Sequence, residues 1–322
     1  MELLWLSAVS TRTYQVYQSG VNAFLTFMTM QGFVWTTTLP PISEDILIRF
    51  VAHCYRRLLL QYSTIKSYLC GIRIRYLQVG LPNPWTSGSL IRLQTIAQGV
   101  KRHQGLSTSP RLPITTPILT KMCMALNHGV FDPYTCVLLK AVCCLAFFGF
   151  LRCGEFACDT DNFNPVYNLT LRAGQFSRIS ATFTLLLAAS KTDPFRKGVT
   201  ITYTATGNCV CPVASMQAYL VHRHRYALHN TDPLFVTVDG KVLGRTYIIV
   251  QLKKLLRLCG YDDNAYNGHS FRIGAATSAA SAKVPDHLIQ VLARWSSSCY
   301  TRYIRTPQDV LWRAQKDMAY LC

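Results

Sequence analysis

The chain has 322 residues, half of them hydrophobic, which is enough for two domains that each bury a core. Lys and Arg number 33 against 15 Asp and Glu, giving a formal charge of +18. An excess of this size indicates a polyanionic partner, with nucleic acid favoured over an anionic membrane surface. No apolar run reaches the roughly 18 uncharged residues of a transmembrane helix, so we expect no membrane span.

The 13 cysteines favour an intracellular, reducing compartment. Cys143 and Cys144 are adjacent, and Cys209 and Cys211 are separated by one residue, so neither pair has the CxxC spacing of a zinc or redox site. Thiols scattered through apolar segments are typical of reduced, buried cysteines. The first residues lack the basic segment and long apolar stretch of a signal peptide. We therefore expect no metal site and a location in the cytosol or nucleus.

Residues 1–105 predict a small, basic helical bundle. Four segments show apolar residues at helical spacing, and the second opens with Ser43 as a candidate N-cap, followed by Glu44 and Asp45 in the first turn. Up to Arg111 the chain carries 11 basic and 3 acidic residues. Residues 106–117 are rich in Ser, Thr and Pro, which predicts an interdomain linker.

Residues 118–322 predict a second, α-rich domain with a small antiparallel sheet. The segment 134–159 is nearly continuous in apolar residues and predicts one long buried helix. Apolar residues then alternate along 179–187 and 199–203, which predicts a β-hairpin whose tip is the basic turn SKTDPFRKG. Further helices follow, and an amphipathic segment ends the chain. The predicted fold class is thus mainly α.

His269 and Arg272 form an H-x-x-R pair, which a helix would place on one face. An imidazole beside a guanidinium suits a phosphate oxygen that gains charge in a transition state. Alone, the pair is a weak signal, since H-x-x-R occurs by chance in many proteins and is more often a surface His and Arg on a helix. Arg152 ends a strongly apolar segment and needs an anionic partner, for which Glu155 lies one turn further on. That pair is either structural or orients Arg152 towards a phosphate.

A lysine, a tryptophan and two tyrosines are further candidates for a phosphate-cleaving site. Lys191 lies at the hairpin turn, where an ammonium is either solvated or able to reach a groove and donate a proton. Trp295 precedes two phenols, Tyr300 and Tyr303, which lie one helical turn apart. A phenol has an ordinary pKa of about 10, so it needs cationic neighbours to act as a nucleophile.

In chain order, these residues resemble the motifs of the tyrosine recombinases, the family of phage-type integrases, resolvases and mobile-element recombinases. AFFGFLRCGEF is similar to the first-arginine box, SKTD to the lysine turn, GHSFRIGAAT to the H-x-x-R box and RWSSSCYTRYIR to the final box. The residues of the lysine turn and the final box resemble those of recombinases from DIRS-type or Crypton-type elements. The motifs cover residues 118–310, and the basic bundle matches by architecture only.

The resemblance implies cleavage of DNA through a 3′-phosphotyrosine, with neither ATP nor a metal and no other cofactor. It implies that Arg152 and Arg272 clamp the phosphate, and that Glu155 holds Arg152. It further implies that Lys191 protonates the leaving 5′ oxygen. The remaining implied roles are proton movement by His269, an indole N–H bond to the phosphate from Trp295, and nucleophilic attack by Tyr303. The interval from Trp295 to the nucleophile is one residue shorter than in better-known members, which leaves Tyr300 as an alternative.

The resemblance also implies a clamp around double-stranded DNA, a dimer to tetramer on that DNA, and a nuclear location. The expected DNA contacts are basic residues of the bundle and the hairpin tip: Arg56, Arg57, Lys66, Arg73, Arg75, Lys101, Arg102, Arg196 and Lys197. Two other functions stay open from the sequence. One is a DNA-binding module descended from a recombinase but catalytically inactive, and the other is supercoil relaxation of the type IB topoisomerase kind.

Overall fold

The structure is a computed structural model of the whole chain. It divides into two compact units, 1–109 and 110–322, which are described separately. The described residues are 2–86, 88–105, 111–159, 162–177, 181–190, 193, 197–224, 229–295, 301, 303–305, 312, 315, 316 and 318.

The first unit is helical, as the sequence predicts. Its helices are α1 (Glu2–Ser7), α2 (Thr11–Met30), α3 (Glu44–Arg56), α4 (Tyr62–Val79) and α5 (Ile91–Gln104). Ser43 caps α3 by accepting a hydrogen bond from the Ile46 N–H, which confirms the predicted N-cap. The core is formed mainly by buried aromatic and aliphatic side chains of α2, α3 and α4, including Phe24, Phe50 and Ile72. The Lys and Arg side chains of this unit are exposed, except that of Arg75, which is half-buried.

Close packing of α2 on α4 depends on two glycines. A Cβ at Gly20 would lie 2.6 Å from the Tyr68 Cα, and one at Gly71 would lie 2.6 Å from the Tyr17 backbone. Neither position has room for a side chain. The two backbones can approach each other only because these residues have none, and this contact fixes the orientation of α4 and its basic face.

The second unit is α-rich with a small sheet, so the predicted mainly α fold class is confirmed. Its core surrounds α7, which is buried along almost its entire length. The helices are α6 (Thr116–Asn127), α7 (Pro133–Phe148), α8 (Cys153–Phe156), α9 (Pro212–Arg223), α10 (Arg245–Leu258), α11 (Ser270–Ser281) and α12 (Asp286–Ala293).

The prediction of one unbroken helix over 134–159 is wrong. Helix α7 ends at Phe148, and Phe150 takes a left-handed backbone conformation with φ of 48°. Gly149 directly follows the helix, and only glycine fits there, because a Cβ would lie 2.1 Å from the hydroxyl of Tyr203. Arg152 consequently becomes the N-cap residue of the short helix α8 rather than a residue of a long helix.

The sheet has three antiparallel strands in the order β1 (Gly174–Ser177), β2 (Thr182–Leu187) and β3 (Val199–Thr204). The predicted hairpin is β2 with β3, in a register that pairs Leu185 with Ile201. Strand β1 was not predicted. It has only four residues, GQFS, too few for a recognisable alternation, and it is held as an edge strand by β2.

The last residues of the predicted linker are part of the second unit. Ile114 is fully buried, and its N–H donates to the carbonyl of Ser270, while Leu112 donates to Ala265. Gly274 of α11 allows this contact, since a Cβ there would lie 1.8 Å from the Ile114 carbonyl oxygen. Helix α6 then begins at Thr116. These last linker residues thus pack against α11, the helix that carries Arg272.

Candidate active site

Glu155 is the carboxylate around which two arginines gather. Its Oε1 lies 2.9 Å from Arg152 Nη1, and its Oε2 accepts the Arg152 backbone N–H at 2.9 Å. The same Oε2 accepts from Arg294 Nη2 at 2.8 Å. Its side chain is 4% exposed, whereas that of Arg152 is 21% exposed. The predicted ion pair is confirmed, and Arg152 keeps a face open to solvent.

Arg272 is completely buried on α11, one turn after His269. Its Nη1 donates to the carbonyl of Phe150, in the turn before Arg152, and its Nη2 donates to the carbonyl of Ala293 at 2.6 Å. Its Nε has no hydrogen-bond partner among the described residues. These bonds draw together three segments: the α7–α8 turn, α11 and the end of α12.

Two aromatic rings cover the Arg272 guanidinium. Its central carbon lies 4.6 Å from the ring centroid of Trp295 and 6.0 Å from that of Tyr303. The Trp295 and Tyr303 centroids are 4.7 Å apart, and the His269 ring lies 5.2 Å from Tyr303. Thr277 of α11 holds this segment, since its hydroxyl donates to the Tyr303 carbonyl and accepts from the Arg305 N–H. Tyr303 therefore lies among the groups that the motifs predict.

The charges at this site favour a bound anion. Arg152, Arg272 and Arg294 face one carboxylate, Glu155. Burial, followed by the charges of Arg152 and Arg294, lowers the pKa of Arg272 to about 10, so this guanidinium stays positive at neutral pH. Burial, followed by the charges of Arg272 and Arg152, lowers the pKa of His269 below its ordinary value. The lowered pKa favours the neutral imidazole, which is the form that can accept a proton.

Arg294 is a site residue that sequence reasoning missed. It follows α12 with a left-handed φ of 57°, a conformation that costs a non-glycine residue about 1–2 kcal/mol. Its Nη1 donates to the carbonyl of Gly149 at 2.9 Å, in addition to the ion pair with Glu155. The available signal was its place directly before Trp295, in a segment already identified as a motif.

Lys191, Arg196 and Tyr300 lie outside the described residues. The strands that flank the lysine turn are described, and β3 reaches the site through Tyr203, whose hydroxyl donates to the Leu145 carbonyl at 3.3 Å. Tyr203 also lies against Gly149, three residues before Arg152. The described strand β3 is thus anchored next to the segment that carries Arg152. Lys197, just before β3, is exposed.

The first unit has a basic cleft of about 960 Å³ between α4 and α5. Lys66, Arg73 and Arg102 line it, together with Trp85 and polar side chains such as Gln98. Lys66 and Arg73 are seven residues apart, so they lie on one face of α4. The remaining predicted contacts are outside the cleft lining: Arg56, Arg57 and Lys101 are exposed, and Arg75 is half-buried and donates to Gln78.

Neither a metal site nor a membrane-spanning helix is found in the part of the chain that the structure describes. No group of three or more His, Cys, Asp or Glu side chains there is arranged to hold a metal ion. None of the described helices combines the length and apolar character needed to cross a membrane.

Several solved structures of similar fold are recombinases or integrases. The XerH site-specific recombinase, bound to palindromic difH substrate in a post-cleavage complex, is 15% identical with a TM-score of 0.64, covering 95% of this chain and 78% of that one. The Tn1549 transposon integrase, in complex with transposon right end DNA, is 11% identical with a TM-score of 0.58, covering 93% and 99%. A lambda integrase dimer bound to a COC′ core site is 12% identical with a TM-score of 0.50, covering 92% and 72%.

The chain therefore has the fold of the tyrosine recombinases. No protein-family model matches its sequence, and no curated protein matches it either. At this level of identity, the likeness establishes the fold.

Proposed function

We propose that this protein cleaves and rejoins double-stranded DNA at specific sites through a 3′-phosphotyrosine. One observation carries the proposal: Arg152, His269, Arg272, Trp295 and Tyr303, from four separate segments, converge on one small region. A purely structural ion pair would explain why Arg152 lies beside Glu155. It does not account for a second, fully buried guanidinium that lies beneath a phenol and an indole.

In the proposed reaction, the Tyr303 phenol oxygen attacks a DNA phosphorus atom. The new bond joins that oxygen to phosphorus, and the bond from phosphorus to the 5′ oxygen breaks. His269, neutral because burial and the neighbouring arginines lower its pKa, accepts the phenol proton, and Lys191 gives a proton to the leaving 5′ oxygen. The guanidiniums of Arg152 and Arg272 stabilise the extra negative charge on the non-bridging oxygens. Attack by a 5′ hydroxyl reverses every step and reseals the strand.

Access to Arg272 requires a local rearrangement. Its guanidinium is fully buried, with the rings of Trp295 and Tyr303 against it. Arg152, with one face open, is the first guanidinium that a phosphate can contact. A phosphate bound there would reach Arg272 only after the Tyr303 ring that covers it moves aside.

The basic cleft of the first unit is proposed to grip the phosphate backbone of DNA. Replacing Lys66 and Arg73 with Gln together should weaken DNA binding and lower the slope of log K against log salt by about 2, since each lost phosphate contact removes about 0.9. Fluorescence anisotropy over a salt series measures this slope. A matched pair, Arg12→Gln with Arg49→Gln, neutralises two exposed charges outside the cleft lining and should leave the slope nearly unchanged.

The proposed role of His269 predicts an acid limb in the rate of cleavage. The pKa of His269 lies below the ordinary imidazole value of 6.5, so the ring is neutral at pH values above 6.5 and becomes protonated only at lower pH. The second-order rate of covalent adduct formation at low DNA concentration reports this ionisation in the free protein. We expect the rate to fall as the pH drops, with a midpoint below 6.5, and His269→Gln to lose that limb. A midpoint above 6.5, or an unchanged limb in the variant, would contradict the assignment.

We further propose that the substrate DNA belongs to a mobile element of the DIRS or Crypton kind and that the protein acts in the nucleus. The proposal is supported by the residues of the lysine turn SKTDPFRKG and of the RWSSSCYTRYIR box, which resemble those of recombinases from such elements. Assembly as a dimer to tetramer on the DNA is proposed because rejoining to a new strand needs at least two cleaved strands at one place.

Covalent trapping tests the function even while the target site is unidentified. A library of nicked duplexes, labelled at either the 5′ or the 3′ end, is incubated with the protein and separated on a denaturing gel. A 3′-phosphotyrosine keeps only the 5′-end label of the cleaved strand on the protein. A native-gel shift without a covalent band would favour an inactive binding module. Site-independent relaxation of supercoiled plasmid by a monomer would favour the topoisomerase alternative.

A further inference from the structure

The contacts of Arg294 leave it little capacity to bind a substrate. Its side chain is 14% exposed, its two terminal nitrogens are bonded to Glu155 and to the Gly149 carbonyl, and its Nε is buried. A group that binds phosphate needs donors that face the groove. Arg294 therefore differs from Arg152, whose side chain makes one hydrogen bond to Glu155 and keeps an exposed face.

The two arginines compete for the same carboxylate. A guanidinium and a carboxylate readily form two parallel hydrogen bonds, and such a pair would use both oxygens of Glu155 and two donors of Arg152. The structure has a different arrangement, in which Arg152 Nη1 takes Oε1 and Arg294 Nη2 takes Oε2. The same Oε2 also accepts the Arg152 backbone N–H. Arg294 and this backbone N–H together hold Oε2, so the Arg152 side chain bonds only to Oε1 and its other guanidinium donors stay available.

The backbone at Arg294 indicates that its side chain is needed. The residue closes α12 in the left-handed conformation, where glycine is the favoured residue because it has no Cβ. The Arg294 N–H donates to the Val291 carbonyl and the Trp295 N–H to the Gln290 carbonyl, which are the bonds of an ordinary helix end. The chain thus carries a long charged residue where glycine would make the turn with less strain.

The neighbours of Arg294 in the sequence connect it to Arg272. The Ala293 carbonyl accepts from Arg272 Nη2, and the Trp295 ring lies over the Arg272 guanidinium. One short segment, 293–295, therefore contacts Arg272 with its first and last residues and Glu155 with its middle one. A displacement of Arg294 would alter both guanidiniums together.

We propose that Arg294 is a positioning residue of the cleavage site, which holds Glu155 so that Arg152 presents its free donors to the phosphate. This inference rests on the proposed function. It predicts that loss of Arg294 lets Glu155 pair with Arg152 through both oxygens, which withdraws Arg152 from the DNA. The loss of cleavage rate would then be caused by the Glu155 carboxylate, and removing its charge should restore part of that rate.

The test compares Arg294→Gly, Arg294→Lys and the double variant Arg294→Gly with Glu155→Gln. Glycine suits the left-handed turn, so the backbone is preserved while the side chain is lost. We expect the rate of adduct formation at saturating DNA to fall about 10- to 100-fold in Arg294→Gly, with DNA affinity within about threefold of wild type. The double variant should be faster than Arg294→Gly, and the lysine variant should lie between wild type and glycine. Arg257→Lys, which alters an exposed arginine paired with Asp263, is the matched control.

A second readout does not depend on cleavage. Phenylglyoxal modifies accessible, unpaired guanidiniums, and peptide mass spectrometry measures the rate at Arg152. In Arg294→Gly this rate should fall, and in the double variant it should recover. Equal Arg152 reactivity in wild type and Arg294→Gly, or a cleavage defect that Glu155→Gln does not relieve, would overturn the proposal. If Arg294→Gly does not fold, the same measurements on Arg294→Lys decide.

These outcomes separate the inference from the proposed function. Absence of any covalent adduct in the wild-type protein would overturn the proposed function, whereas the modification rates would still report whether Arg294 controls Arg152. A wild-type protein that cleaves DNA, with an Arg294→Gly variant that cleaves within twofold of it, would overturn only the positioning role.

Discussion

Tyr303→Phe is expected to abolish covalent DNA adducts, with a loss on the order of a thousandfold or more, because the substitution removes the attacking oxygen and nothing else. The ring should still pack beside Trp295 and His269, since those contacts involve the aromatic carbons. Folding and DNA affinity should therefore stay close to wild type. Adduct yield on denaturing gels, with affinity and thermal stability measured alongside, tests this expectation.

Tyr300→Phe is the matched control for that experiment. It removes one phenol oxygen from the same final motif, and it should leave adduct formation within about twofold of wild type. The reverse pattern, with adducts lost in Tyr300→Phe and retained in Tyr303→Phe, would transfer the nucleophile to Tyr300. In that case, the packing of Tyr303 over Arg272 would be structural.

Arg152→Lys is expected to slow adduct formation by about 100- to 1,000-fold at saturating DNA. Lysine keeps the positive charge but replaces the planar fork of donors with a single point charge, so it cannot hold Glu155 and a phosphate oxygen in one fixed geometry. Because the charge is retained, DNA affinity should change by no more than a few fold. Single-turnover kinetics measures the two effects separately.

The surface pair of Arg257 and Asp263 provides the comparison for Arg152→Lys. It has the same kind of ion pair, 2.9 Å long, but its arginine is 71% exposed. Arg257→Lys should leave the cleavage rate unchanged. An Arg152→Lys variant that cleaves as fast as Arg257→Lys would mean that Arg152 serves only to pair with Glu155, and the phosphate clamp would be excluded.

The sequence was sufficient for features that depend on local patterns. Neighbouring residues determine the helical periodicity, the Ser43 cap and the alternation along β2 and β3. The structure confirms these predictions. The pairing of Arg152 with Glu155 was also accessible, because the two residues lie one turn apart and a partly buried guanidinium needs an anion.

The sequence was insufficient where distant residues decide the local structure. The need for glycine directly after α7 depends on the hydroxyl of Tyr203, which lies 54 residues further along the chain than Gly149 and leaves no space for a side chain there. Arg294 was missed for a related reason. Its partners, Gly149 and Glu155, are brought to it by the packing of α7, α8 and α12, and no pattern around Trp295 specifies that contact.

Identifying the atom that carries the DNA is the most direct test of cleavage through a 3′-phosphotyrosine at Tyr303. Trapped complexes are digested with nuclease and protease, and the peptide that bears a nucleotide is sequenced by mass spectrometry. We expect a nucleotide joined through its 3′ phosphate to Tyr303, with a free 5′ hydroxyl on the released strand. A nucleotide on any residue outside the final motif, or a 5′-phosphate linkage, would contradict it.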